Sequence, residues 1–87
     1  MVYRIEIIRA AQKQVLSLPR PAQLEIARAV DCLSEVPRPS GCKKLHGTAL
    51  WRLRLGRYRV VYIIDDAARL VTVLKVASRR EDTYQGL

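Results

Sequence analysis

Apolar positions recur every second residue from Tyr3 to Ile7, every three or four residues from Ala11 to Leu33, and every second residue again from Trp51 to Tyr62. The first spacing is that of a strand and the second that of a helix face. Residues 3–8, with isoleucines at 5, 7 and 8, read as a strand. Residues 10–16 read as a short helix whose stripe is Ala11 and Val15, continued by Leu18. Pro19 ends it, and Pro21 suits the first turn of a second helix over 21–35, with Ile26, Val30 and Leu33 as its stripe and Ala27 beside them. Leu24 falls off that stripe, as expected of a residue that touches a partner. Pro37 and Pro39 stop the helix, and residues 38–48 read as a basic loop. Three strands follow, near 49–55, 58–64 and 70–76, the last two joined by a turn at 65–68. The order β-α-α-β-β-β predicts an α+β fold in one domain spanning residues 1–87. Two N-terminal helices pack on one face of a mostly antiparallel four-stranded sheet, and a short C-terminal tail or helix follows.

The segment L-W-R-L-R-L-G-R-Y-R-V-V-Y, residues 50–62, reads as a hairpin with two unlike faces. If Gly56 and Arg57 form a two-residue turn, Leu55 lies opposite Tyr58 and Arg54 opposite Arg59. One face then holds Trp51, Leu53, Leu55, Tyr58, Val60 and Tyr62, a core. The other gathers Arg52, Arg54 and Arg59. Like charges directly across a strand pair destabilise it, so such a face implies an anion bound between them. With a three-residue turn at 66–68, Lys75 falls beside Arg59 on the same face.

Charge distribution strengthens that reading. The chain has 87 residues and a formal net charge of +8. Residues 1–37 contribute only +1 of it and residues 38–87 contribute +7. A basic excess concentrated in one half points to a polyanionic partner. Lys43, Lys44 and Arg57, with Arg38 nearby, extend the basic surface toward a nucleic-acid backbone. Cys32 and Cys42 form no C-x-x-C pair, and no segment resembles a signal peptide, so a cytoplasmic protein with free thiols is expected. No apolar run approaches the ~20 residues of a membrane span.

Few kinds of chemistry fit these residues. His46 is the sole histidine and lies in K-L-H-G, a turn-like setting. No H-E-x-x-H, cysteine cluster or Gly-rich phosphate loop is present, so no metal or other cofactor is expected. What remains is a set of arginines and a late tyrosine, Tyr84. Guanidinium forks bind phosphate bidentately and can neutralise charge that builds on phosphate oxygens. RNA brings its own nucleophile, the 2′-hydroxyl, so a protein that aligns it and clamps the phosphate could cleave the chain. Tyr84 could stack on a base or carry a proton, or simply anchor the tail.

With these residues in view, the chain resembles the RelE/ParE toxin superfamily over nearly its whole length. The resemblance is carried by the β-α-α start, by K-K-L-H-G-T-A-L-W-R-L-R-L-G-R-Y-R-V-V-Y, and by V-L-K-V-A-S-R-R-E-D-T-Y. It implies a toxin of a type II toxin–antitoxin system, partnered by a cognate antitoxin in a hetero-oligomer. RelE-type members are implied to cleave mRNA in the ribosomal A site without a metal. Their site residues map to Arg52, Arg54 and Arg59, to Arg79 (or Arg80 after a one-residue shift) and to Tyr84. Ser78 stands where many relatives carry histidine or lysine, so a general base expected there is missing. The ParE branch is implied to inhibit DNA gyrase without nuclease chemistry, and generally lacks the full arginine and tyrosine set. The expected function is therefore that of a ribosome-dependent mRNA endonuclease. Gyrase inhibition is the alternative, and a non-toxic nucleic-acid-binding accessory protein a third.

Overall fold

A computed structural model of the chain describes residues 2–78. Its elements are β1 (Arg4–Ile7), α1 (Arg9–Leu16), α2 (Arg20–Cys32), β2 (Cys42–Lys44), β3 (Trp51–Leu55), β4 (Tyr58–Asp65) and β5 (Leu70–Ser78). The strands form one sheet in the order β1-β5-β4-β3-β2, with β1 parallel to β5 and every other pair antiparallel. The α+β architecture is as expected. The sheet, however, has five strands and not four.

The additional strand is β2, inside the segment read as a loop. It is three residues long and follows a Pro- and Gly-containing stretch, so its local sequence carries no strand signal. Pairing with the exposed edge of β3 creates it: Cys42 lies opposite Leu53, Lys43 opposite Arg52 and Lys44 opposite Trp51. Helix α2 is shorter than its hydrophobic stripe suggests. After Cys32 the backbone tightens, with the N–H groups of Leu33, Ser34 and Glu35 each donating three residues back.

The core lies between the helices and one sheet face. Ala11, Ile26, Val30 and Leu33 come from the helical side, and Leu53, Val60, Tyr62, Val71, Val73 and Val76 from the sheet. Trp51, Leu55 and Tyr58 pack against that cluster, on the face that alternation assigns them. Tyr62 is fully buried, and its hydroxyl donates to the Pro37 carbonyl at 2.8 Å. Strand β1 is held to the end of α2 by the Tyr3 N–H, which donates to the Ser34 carbonyl at 2.7 Å.

Two irregularities set the register of β5. The β4–β5 turn comprises four residues (66–69), one more than expected, and Arg69 takes a positive φ of 55° in it. A bulge then interrupts the pairing: Tyr62 faces Val73, yet the preceding residue, Val61, faces Lys75. Leu74 is the residue without a counterpart. Just beyond, β1 has ended and β5 lacks a strand on that side. The Gln14 side chain of α1 fills the gap, accepting from the Val76 N–H at 2.7 Å.

Ile26 is 2% exposed and Leu24 is 54% exposed, although they sit two residues apart on one helix. We expect Ile26→Ala to cost about 2–5 kcal/mol in urea unfolding and Leu24→Ala about 0.5 kcal/mol or less. Equal losses would contradict the assigned helix face.

Candidate nucleic-acid interface

The sheet face turned away from the helices is built by the hairpin β3–β4. Gly56 has a φ of +59° and Arg57 does not have a positive φ, the pattern of a type II′ two-residue turn. That turn fixes Leu55 opposite Tyr58 and Arg54 opposite Arg59. One side of the ladder must point into the core, so Arg52, Arg54 and Arg59 all point out of the other side.

The neighbouring strands extend this face in rows. Across the sheet, Lys43, Arg52, Val61 and Lys75 form one row, and Arg54, Arg59 and Ala77 the next. Two like-charged pairs, Lys43 with Arg52 and Arg54 with Arg59, therefore sit directly across strand boundaries. Arg52, Arg59 and Lys75 are half-buried, and Lys43 and Arg54 are exposed. Among the described residues, the acids of this face lie away from these rows: Glu6 is 3.7 Å from Arg4 on β1, and Asp65 accepts from the Ala68 N–H in the β4–β5 turn. Lys75 is on the basic face as expected. Its neighbour across the ladder is Val61 and not Arg59, because the longer turn and the bulge together shift the register.

Other cations expected in the interface lie elsewhere. Lys44 faces the same side as Trp51, opposite to Lys43, because consecutive strand residues alternate. Arg57 sits at the hairpin tip beside Pro19, Pro21 and Glu25, on the helical side. Arg38 is engaged in an internal cluster that the sequence did not reveal. Its guanidinium donates to both carboxylate oxygens of Asp66, at 2.8 and 3.4 Å, and lies 5.2 Å from the centre of the Trp51 ring. Asp66 also accepts from the Tyr3 hydroxyl at 2.6 Å. These bonds join residues 28 and 63 positions apart in the chain, and no local pattern signals them. Arg79, Arg80 and Tyr84 lie outside the described residues.

The cluster also shifts its members' titrations. Hydrogen bonds from Arg38, and then from Tyr3, hold the Asp66 carboxyl below its ordinary value. The bond to Asp66 raises the Tyr3 phenol and, on its own side, the Arg38 guanidinium. Burial, reinforced by the neighbouring Cys42 thiol, pushes the Tyr62 phenol strongly upward. None of these groups belongs to the basic rows.

The fold and this face define a class: a small basic α+β domain in which one sheet face builds the core and the other is a cationic platform. The chain belongs to the ParE toxin family of type II toxin–antitoxin systems, whose sequence pattern matches residues 5–83. It is thus a toxin of the RelE/ParE superfamily, and it is similar to toxins of RelE type. A chain of an archaeal RelE–RelB complex from Pyrococcus horikoshii superposes with a TM-score of 0.82 at 33% identity, over 91% of this chain and 97% of that one. A chain of the RelBE2 toxin–antitoxin complex from Mycobacterium tuberculosis gives 0.83 at 26% identity, over 91% and 93%. A Methanocaldococcus jannaschii protein named for a toxin, RelE1, is 28% identical over 89 residues, covering 98% of each chain. Among the described residues, no helix is long and apolar enough to cross a membrane.

Asp66 has a lowered value in the folded protein, so its contribution to stability is complete above its unfolded value, near 3.8, and is lost as the pH falls through the lower folded one. Trp51, the only tryptophan, reports the cluster through Arg38. Its fluorescence should show an acid transition below pH 3.8 that Asp66→Asn abolishes. An unchanged transition in that variant would separate Trp51 from the cluster.

Removing the like-charge pair between β2 and β3 gives a second expectation. Arg52→Thr should stabilise the free protein by up to about 1 kcal/mol and lower the salt slope of RNA binding by about one. A destabilised variant with unaltered salt dependence would show that Arg52 serves the fold.

Proposed function

We propose that this toxin is a metal-independent endoribonuclease that cleaves mRNA in the ribosomal A site and so halts translation. The observation that carries the reading is the gathering of Arg52, Arg54 and Arg59 on one sheet face, flanked by Lys43 and Lys75. Arg59, half-buried at the centre of the sheet, takes the scissile phosphate. Arg54 lies directly opposite and closes the clamp, while Arg52 holds the adjoining backbone. The family resemblance adds Arg79, or Arg80 in its stead, for charge that develops in the transition state, and Tyr84 to orient or stack a base.

The chemistry follows from what arginine can and cannot do. A guanidinium is always protonated and has no acceptor, so it cannot serve as the base. It binds the phosphate oxygens more tightly as negative charge accumulates on them, which lowers the barrier. The RNA 2′-oxygen attacks the adjacent phosphorus and the bond to the 5′-oxygen breaks, leaving a 2′,3′-cyclic phosphate and a 5′-hydroxyl. Water accepts the proton from the 2′-oxygen, and the departing 5′-oxygen takes one from water. Without a strong base in the site, the rate depends on alignment, which the ribosome supplies by presenting mRNA in a fixed path.

The like-charged pair of Lys43 and Arg52 also favours an anionic partner that silences the toxin. The P. horikoshii and M. tuberculosis relatives are complexes of toxin with antitoxin. A cognate antitoxin forming a hetero-oligomer with this chain in the cytoplasm fits the same reading. The match to a family named for ParE favours a second reading, gyrase inhibition without cleavage.

Cell-free translation followed by mapping of mRNA ends separates the two. The wild-type toxin should produce cuts within codons at the A site, and Arg59→Ala combined with Arg79→Ala should slow them by about 100-fold or more. Intact mRNA together with inhibited supercoiling would establish the gyrase reading. Cleavage by the double variant at the wild-type rate would refute the clamp.

A further inference from the structure

We propose that Gln14 is a positioning residue for the cleavage reaction: its side-chain amide replaces a missing strand beside the end of β5 and holds that end against the strand that carries Arg59. The inference deepens the ribonuclease reading and rests on it. Strand β1 accompanies β5 only from Leu70 to Val73, and the Ile8 N–H, donating to the Val73 carbonyl at 3.1 Å, closes that pairing. Among the described residues, β4 is then the only strand beside β5 from Lys75 to Ser78.

A strand end paired on one side is a weak part of a sheet. The bulge at Leu74 also breaks the β4 ladder just before it. Val76 makes the deficit acute. Its side chain is 3% exposed, so its N–H lies where water competes poorly, and a backbone donor there needs a partner. The Gln14 side-chain carbonyl accepts from it at 2.7 Å, across 62 residues of sequence. Glutamine suits the task, since it offers a strong acceptor without a charge on a stem that reaches from helix to strand. The helix end that carries it is itself fixed: the Ser17 hydroxyl and N–H donate to the Gln14 main-chain carbonyl at 2.7 and 3.2 Å. Gln12, also on α1, closes the end of β1 by donating to the Ile7 carbonyl at 2.8 Å. One helix thus supplies both substitutes for the missing strand.

The consequence falls on the candidate site. Val76 is followed by Ala77, which stands opposite Arg59, and by Ser78, opposite Tyr58. The next residue in the sequence is Arg79, to which the family resemblance gives a role in the transition state. Without a strong base in the site the rate depends on alignment, and a displacement of about 1 Å can cost about 100-fold. The Gln14 bond fixes the backbone one residue before the partner of Arg59. It therefore bears on the rate of cleavage and not on affinity for the ribosome, because α1 packs against the opposite sheet face through Ala11.

The test uses the full chain, with amide hydrogen exchange read by NMR and A-site cleavage read in cell-free translation. Gln14→Met keeps the stem and removes the strong acceptor. It should speed exchange at the Val76 amide roughly tenfold and leave the amides of Val71 and Val73 as in the wild type. Its maximal cleavage rate should fall about tenfold, at an unchanged half-saturating concentration of ribosomes. Gln14→Glu keeps an acceptor and should restore both exchange and rate. If Gln14→Met fails to fold, Gln14→Asn, whose shorter stem falls short of Val76, should show the same pair of losses. Unchanged Val76 exchange, wild-type cleavage despite faster exchange, a loss confined to half-saturation, or no rescue by Gln14→Glu overturns the positioning role and leaves the ribonuclease reading standing. Intact mRNA with the wild-type toxin removes both.

Discussion

Burial of one face of β3 and β4 against the helices is the constraint on which the molecule turns. Leu53, Val60 and Tyr62 are at most 5% exposed. In a strand a slip of one residue exchanges the two faces completely. The alternative register would bring Arg52, Arg54 and Arg59 under α1 and α2, where each unpaired guanidinium would cost several kcal/mol. The apolar face thus fixes the charged one. The cations are held at their cross-strand spacing by hydrophobic packing beneath them, against their mutual repulsion, so the platform is organised before any ligand arrives.

Two kinds of arginine result. Arg38 has an internal carboxylate, a tyrosine partner on that carboxylate and an indole face, and it ties β1, the β4–β5 turn and the segment after α2 into one corner. Arg52 has a lysine across the strand boundary. The first arrangement contributes to the folded state with no outside partner. The second weakens it until an anion arrives. Among the described residues, the acids of the basic half are Asp65 and Asp66, and both lie where β4 gives way to the β4–β5 turn.

The hairpin was legible in the sequence because three signals agreed. Strict alternation from Trp51 to Leu55, alternation again from Tyr58 to Tyr62 and a glycine able to take positive φ between them leave a single register. The helix pair was legible for the same reason, through its prolines and the stripe from Ile26 to Leu33. Strand β2 was not, since three residues pair only because the edge of β3 is available. Lys43 and Lys44 consequently read as equivalent neighbours, although they lie on opposite faces. The bulge was hidden by composition: with apolar residues at 73, 74 and 76, either phase of β5 satisfies the core, and only the strand pairing decides. The corner around Asp66 joins residues distant in the chain and left no trace in any window.

Such illegibility has a consequence for site assignment. Sequence spacing placed Lys75 on the correct face, but for a reason the structure replaces. A three-residue turn and an unbroken strand give the same face as a four-residue turn followed by a bulge, because each added residue reverses the phase once and two reversals cancel. The two routes differ in the lateral neighbour. The first puts Lys75 against Arg59 in a single dense cluster, and the second puts it against Val61, one row away. A single cluster would concentrate its charge on one phosphate. Two rows distribute it along the strand direction. The identity of a partner across the ladder, and not the face alone, therefore determines what such a surface can recognise.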